Sequence, residues 1–396
     1  MKYLIVLLAG LGLANSVTAQ RLDSLETFLL QNNPELLAMQ KELEAADQSL
    51  EVARNNLPNL QVRAGILAVP PNPGPGMERV SVGVSQMLPA KGVLKNGERV
   101  AEAQLSALQE EYKLMKLTKL YQLRTAYYQL YYIQNQIETT QNLQENLKSL
   151  QPVALQSYSS GKSPMSQVLR LQSKILELEK GLNMQNSDLA EVQAMLASLL
   201  SYEQYSIEAS LPGELNLTSN TVALADTIHP IINQWQYRQQ ARNYGASMAE
   251  SMRNPMFGVG LQYMYMANGM HGLMPMAMVE IPIWRKKNKA MVDEQKLMAE
   301  SISYKEENSK NELVAEWNSI QAQLQNTENQ LEVLNEQLKL ENSLREQLQT
   351  EFSAGTSSLE NILEEENSLL SLKLEKLKLT VEQLKLQARL KYLRGE

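Results

Sequence analysis

The chain has 396 residues, of which 43% are hydrophobic and 20% are charged, and its formal net charge is −7 at pH 7. This negative balance argues against nucleic acid as a partner, because nucleic acid prefers a basic patch. The chain has no cysteine. Disulfides and thiolate chemistry are therefore excluded, and stability must come from packing or from oligomerisation.

The first nineteen residues are typical of a secretory signal peptide. Lys2 provides a positive start, an apolar run follows (LIVLLAGLGLA, 4–14), and VTA offers a small-residue cleavage site before Gln20. We therefore expect residues 1–19 to be removed and the mature chain to be exported without an acylated cysteine. No later stretch holds about 18 consecutive apolar residues, so a membrane crossing would require a closed β-barrel.

The first half of the mature chain predicts a helix, two strands and a long helical hairpin, in that order. The helix begins at Pro34, a favoured first-turn residue, and runs to about Asn55. Period-two alternation then predicts strands over about 58–69 and 79–88. After Pro89 the pattern becomes helical, and we expect a hairpin of two long helices over about 92–200.

The second half repeats this order after a segment rich in Pro, Gly, Asn and Ser. That segment, 209–227, is predicted to be a linker. A helix is expected from residue 228, strands at about 256–266 and 272–282, and a second helical hairpin over about 286–394.

Three landmarks indicate that the two halves are a tandem duplication. YSSGKSPMSQVL (158–169) aligns with FSAGTSSLENIL (352–363), and the strand pairs end in Pro89 and Pro282. NNPELLAMQ and IHPIINQWQ form a third pair, and all three share an offset of about 195 residues. The expected organisation is a signal peptide (1–19), a first repeat (20–208), a linker (209–227) and a second repeat (228–396).

The last helix carries two apolar stripes. One has heptad spacing and the other repeats every seven residues on another side, which implies two neighbouring helices, as in a wall of helices closed into a tube. The first stripe is Leu370, Leu374, Leu377, Val381, Leu384 and Ala388, and the second is Leu372, Leu379, Leu386 and Leu393.

The duplication, the proline-ended strand pairs, the run AYYQLYY (126–132) and the paired [YF]-S-x-G turns resemble the TolC-type outer membrane factors. The resemblance implies a mixed α and β membrane protein in the cell outer membrane, with its helical part in the periplasm. It implies a homotrimer in which four strands per protomer form a 12-stranded barrel continuous with a long α-helical barrel. The implied partners are a periplasmic adaptor, an inner-membrane pump of the resistance–nodulation–division class, and outer membrane lipid.

The resemblance also implies a functional tip at the two helical turns. Tyr158, Gly161, Phe352 and Gly355 would form the turns where the adaptor and pump dock. Gln167, Asn361 and Glu364 stand at the positions of the closed constriction, although Asn361 replaces an acid of the family pattern. In the alternative interpretation, Glu360, Glu364, Glu365 and Glu366 are only a solvated helix face.

Residues 262–282 hold six of the nineteen methionines. Five of them alternate onto the strand faces that carry Gln262 and Glu280, which lipid would reject, so this face is expected to line the lumen. Thioether sulfur is a soft ligand that selects Cu(I) and, by the same logic, Ag(I), whereas the alternative is that methionine only fills irregular space. The candidate lumen residues are Met264, Met266, Met274, Met276 and Met278, with Met270 and His271 as weak metal candidates at the turn.

No enzyme signature and no cofactor motif is present in the sequence. The expected function is a passive exit duct of a tripartite efflux system, and the methionines resemble its copper- and silver-exporting branch. Two alternatives stay open: a duct for drugs or secreted polypeptides, and a periplasmic coiled-coil scaffold without a pore. The four alternating strands favour a duct, because a scaffold has no need of them.

Overall fold

A computed structural model describes residues 22–66, 78–161, 163–201, 207, 209, 229–266, 269–354 and 356–396. The predicted signal peptide and nearly all of the predicted linker therefore lie outside the described residues. So do Gly355 and the last three residues of the first predicted strand.

Two of the helices are unusually long. The third and sixth helices have 67 and 69 residues, which corresponds to about 100 Å each at ~1.5 Å per residue. No helix among the described residues is both long enough and apolar enough to cross a membrane. The helices are α1 (Leu22–Asn32), α2 (Pro34–Arg54), α3 (Val93–Ser159), α4 (Met165–Leu200), α5 (Pro230–Ser251), α6 (Arg285–Ser353) and α7 (Leu359–Arg394).

Helices α2 and α5 begin in the same way, with a capping residue followed by proline. The Asn33 side chain accepts hydrogen bonds from the backbone N–H groups of Glu35 and Leu36, and its amide nitrogen donates to the Leu199 carbonyl at 2.9 Å. His229 caps α5 through Nδ1. Asn33 therefore both starts α2 and attaches it to the end of α4. Helix α1, which precedes this cap, was not predicted.

The largest hydrophobic cluster lies on α3, where the predicted AYYQLYY run is found. Leu123, Tyr127 and Leu130 are almost completely buried there. Their partners come from helices of both halves of the chain, which joins the halves in one core. Further members of this cluster are Leu25 and Leu29 of α1, Leu196 and Leu200 of α4, and Val381, Leu384 and Ala388 of α7.

Within the described part of the chain, four strands form one antiparallel sheet in the order β1-β2-β3-β4. The central pair, β2 and β3, joins the first half of the chain to the second, and β1 and β4 are its edges. The first strand begins later than predicted, and the last ends two residues before Pro282. The strands are β1 (Gln61–Ile66), β2 (Glu78–Leu88), β3 (Met256–Met266) and β4 (His271–Glu280).

The junction between sheet and helices is held by close packing at Gly92. This residue precedes α3 with φ +97°, a conformation that favours glycine. A Cβ at this position would lie 2.6 Å from the Ser251 hydroxyl oxygen. That hydroxyl also accepts a hydrogen bond from the Asn96 side chain at 3.1 Å, so α3 and α5 are tied together directly below the sheet.

Candidate functional site

The two faces of the sheet differ in chemistry. Residues directly opposite each other in an antiparallel ladder share a face. Gln61, Ser85, Gly260 and Met276 form one such row across all four strands. The methionine face contains Gln61, Arg63, Gly65, Ser81, Gly83, Ser85, Met87, Met256, Gly258, Gly260, Gln262, Met264, Met266, Gly272, Met274, Met276, Met278 and Glu280.

The opposite face is apolar and exposed. Val259 and Leu273 retain 63% and 66% of their accessible surface, and exposed apolar surfaces of this kind often mark a contact with a membrane or with another protein. We call this surface the apolar face. Its members include Val62, Ile66, Val82, Val84, Leu88, Phe257, Val259, Leu261, Tyr263, Leu273, Ala277 and Val279.

Glycines provide the space that the methionine side chains occupy. A Cβ at Gly260 would lie 3.3 Å from Cε of Met276, and one at Gly272 would lie 3.2 Å from Cε of Met266. The long thioether side chains thus cover the positions where neighbouring strands have no side chain. The thioethers of the methionine face are therefore concentrated around the glycines of β3 and β4.

The register places the five predicted methionines on one face together with Gln262 and Glu280. Two further methionines of this face, Met87 and Met256, were not predicted as part of it. Met87 alternates with Ser81, Gly83 and Ser85 along β2, so a period-two count along that strand could have found it.

His271 lies on the other face. It is paired with Tyr265, and its Nδ1 contacts the Tyr263 hydroxyl. The structure therefore does not bring His271 together with the methionines. Met270 lies in the turn, where its carbonyl oxygen accepts a hydrogen bond from the Met266 backbone N–H at 2.9 Å. Among the described residues, no three His, Asp or Glu side chains are grouped so as to hold a metal ion.

At the opposite end of the long helices, the two predicted tip turns lie side by side. Gly161 adopts φ +71° in the α3–α4 turn and donates its backbone N–H to the Tyr158 carbonyl. Leu359, at the start of α7, is buried in the cluster that contains Val168 of α4, and Phe352 packs against it. The helix ends that flank the two turns are therefore packed against each other.

The three gate candidates lie near the starts of two helices: Gln167 on the first turn of α4, and Asn361 and Glu364 on the first two turns of α7. Asn361 is exposed, and its side chain donates to the Ser357 hydroxyl at 3.2 Å. Gln167 is half-buried and Glu364 is exposed. An ion pair between Arg170 and the neighbouring Glu360 joins α4 to α7 next to these positions.

Burial divides the glutamate cluster of α7. Glu360 and Glu364 are exposed, whereas Glu365 and Glu366 are 6% and 9% exposed. The interpretation of all four as a solvated face is therefore wrong for the last two. Burial, together with the charge of Glu341 and a hydrogen bond to it, raises the pKa of Glu365 to about 7.

Residues 28–201 match the sequence model of the family described as outer membrane efflux protein. These residues belong to the outer membrane efflux protein family. The match covers α2, β1, β2, α3, α4 and the C-terminal part of α1, and therefore includes the first turn and half of the sheet. No match was found among curated protein sequences.

Solved structures extend the likeness in fold to the second half of the chain. CusC has a TM-score of 0.81 and 16% identity, covering 94% of this chain and 92% of its own. VceC from Vibrio cholerae has a TM-score of 0.79 and 14% identity, and the similarity covers 94% of this chain and 96% of VceC. The outer membrane channel CmeC from Campylobacter jejuni has a TM-score of 0.78 and 14% identity, and the similarity covers 94% of this chain and 85% of CmeC. The fold is thus that of outer membrane channels over nearly the whole chain.

Proposed function

We propose that this protein is one protomer of a trimeric outer membrane exit duct. The observation that carries the proposal is the sheet itself, which has one exposed apolar face and two edge strands, β1 and β4, that pair on one side only. Lipid cannot satisfy the backbone groups of open edges, so a membrane-inserted sheet must close. Four strands from each of three protomers would close a 12-stranded barrel.

The distribution of side chains supports this orientation. Arg63, Gln262 and Glu280 belong to the methionine face, which would line the lumen, while the apolar face would contact lipid. From Phe257 to Tyr265 the strand is about 26 Å long at ~3.3 Å per residue. This length suits the ~25 Å apolar band of outer membrane barrels.

Aromatic side chains flank that band at both ends. Tyr263 and Tyr265 lie near the β3–β4 turn, and Phe257 lies near the helical end. Trp284, immediately before α6, is 87% exposed. Aromatic girdles at both membrane interfaces are typical of barrels of this kind.

The remaining features of the proposal concern transport and its partners. The two repeats, 20–208 and 228–396, would each contribute a helical hairpin to a periplasmic α-helical tube. A periplasmic adaptor and an inner-membrane pump of the resistance–nodulation–division class would engage the turns at Tyr158, Gly161, Phe352 and Gly355, and would supply the energy. Gln167, Asn361 and Glu364 would form the closed constriction.

We propose soft monovalent cations, Cu(I) and Ag(I), as the cargo. The thioether-rich face supports this choice, because thioethers bind these ions without needing to lose a proton. Drugs or secreted polypeptides are the competing cargo.

Paired cysteine variants test the duct. Met276 and Ala277 are adjacent on β4 and belong to opposite faces, and the protein has no cysteine of its own. In trimers reconstituted into lipid, a water-soluble maleimide should label Met276→Cys and leave Ala277→Cys unlabelled. Inverted labelling, or a monomer that stays soluble without detergent, would refute the duct.

Growth tests the cargo separately. Deleting the gene while the partner pump is expressed should lower copper and silver tolerance and leave detergent tolerance unchanged. Unchanged metal tolerance would remove Cu(I) and Ag(I) as cargo and leave the duct itself intact.

A further inference from the structure

Met87, Gly258 and Met278 form one row across the three strands β2, β3 and β4. Both methionine side chains lie over the glycine between them. A Cβ at Gly258 would lie 2.4 Å from Sδ of Met87 and 3.1 Å from Cε of Met278. Two thioethers from non-adjacent strands therefore share the space above one residue.

The glycine is what permits this approach. The backbones of β2 and β4 are about 9.5 Å apart, since neighbouring strands are ~4.8 Å apart. Two side chains standing upright at that spacing could not share an ion. Without a side chain at position 258, Met87 and Met278 can both extend over β3 into the space that a Cβ would occupy.

We propose that Met87 and Met278 form a binding site for Cu(I) or Ag(I) above Gly258. Thioether sulfur prefers these soft cations over the harder divalent ions. Met276, the next residue of β4 on the same face, is the nearest additional thioether from that strand. Binding would need no change of protonation or oxidation state, so the ion could enter and leave by exchange between thioethers.

The site lies where a cation coming from the helical part of the protein would first reach the methionine face. Gly258 lies two residues after the start of β3, and Met87 lies one residue before the end of β2. The site is therefore at the end of the sheet that is next to the helices. Glu280 lies one row closer to the helices, where its exposed carboxylate adds negative charge. This inference rests on the proposed function, because it takes the methionine face as the lumen through which the cation passes.

Titration of Ag(I) into the full-length protein in detergent and chloride-free buffer tests the site. The wild-type protein should bind Ag(I), and X-ray absorption should show sulfur neighbours. Met87→Leu and Met278→Leu should each weaken binding by at least about tenfold, since even residues that only support a metal ligand contribute 10–100-fold. Met184→Leu, on the exposed surface of α4, is the matched control and should bind as the wild type does.

A third variant separates geometry from sulfur content. Gly258→Ala keeps every thioether but fills the shared space, so it should weaken Ag(I) binding as the leucine variants do. Absence of Ag(I) binding in the wild type would overturn the site, as would undiminished binding in both leucine variants. Single-channel conductance in planar bilayers, measured on the same samples, reports on the duct independently. Normal conductance without Ag(I) binding would refute this site alone.

Discussion

Raising the pH should loosen the contact between α6 and α7 around Glu365. This carboxyl group is 6% exposed and hydrogen-bonds to Glu341 of α6. Glu366 adds a further negative charge and Arg345 provides the opposing positive one. A hydrogen bond between two carboxyl groups requires a proton on one of them, so the contact depends on protonation.

The direction and the size of this pH effect on stability follow from the pKa of Glu365. Burial and the neighbouring glutamates raise the pKa of Glu365 from 4.5 to about 7. The stabilising contribution of the protonated group is therefore fully present below 4.5, decreases as the pH rises, and is lost above about 7. A shift of this size corresponds to at most about 3.5 kcal/mol, because one pKa unit is ~1.4 kcal/mol.

Hydrogen exchange measured by mass spectrometry can follow this local change. The peptide that contains Glu341 and the peptide that contains Glu365 should both exchange faster above pH 7 than below pH 4.5, after correction for the intrinsic exchange rates. Glu365→Gln keeps a neutral hydrogen-bonding group and should abolish the difference. Glu364→Gln, at the adjacent exposed position, is the control and should retain it. Equal pH dependence in Glu365→Gln and the wild type would refute the reasoning.

Three further predictions concern stability, measured by urea unfolding in detergent and followed by circular dichroism. Leu130→Ala should lower the free energy of unfolding by about 2–5 kcal/mol, because it leaves a cavity in the largest hydrophobic cluster. A change near zero would show that this cluster is not tightly packed. Asn33→Ala should lower the free energy of unfolding by about 1–2 kcal/mol, because the N-cap of α2 is lost. Asn32→Ala should lower it clearly less. Gly92→Ala should lower the free energy of unfolding by at least about 1 kcal/mol because of its positive φ. Gly97→Ala, inside α3, should be neutral or stabilise by up to about 1 kcal/mol, because its Cβ would meet only Sδ of Met248 in ordinary van der Waals contact at 3.7 Å. Equal effects would contradict the packing at Gly92.

The strands and long helices could be predicted from the sequence because their periodicity is strong and long. The third strand agrees with its predicted bounds, and the others differ by a few residues at their ends. Helix α1 was not predicted, because Asn33-Pro34 is a strong signal for the start of α2 and carries no sign that another helix ends directly before it. The hydrogen bond from Asn33 to the Leu199 carbonyl, distant in sequence, could not be predicted, and it attaches this junction to the end of α4.

The candidate site was predicted in part. Alternation along β3 and β4 placed five methionines on one face, and the strand register gives the same arrangement. The convergence of Met87 and Met278 could not be predicted, because it depends on pairing between strands that are 170 residues or so apart in the chain. The burial of Glu365 escaped prediction for the same reason: a glutamate-rich run is ordinarily solvated, and only the packing of α6 on α7 buries part of it.

The glycines of the methionine face connect the shape of the sheet to its chemistry. Val259 and Leu273 on the apolar face are widely exposed, whereas Gly258 and Gly260 on the other face are covered by neighbouring side chains. Side chains diverge on the convex side of a curved sheet and crowd on the concave side, so this contrast indicates curvature toward the methionine face. Glycines within strands permit such curvature, and a sheet must curve in order to close into a barrel. The residues that would allow closure are therefore the same ones that leave room for thioethers, and enlarging Gly258 should disturb both.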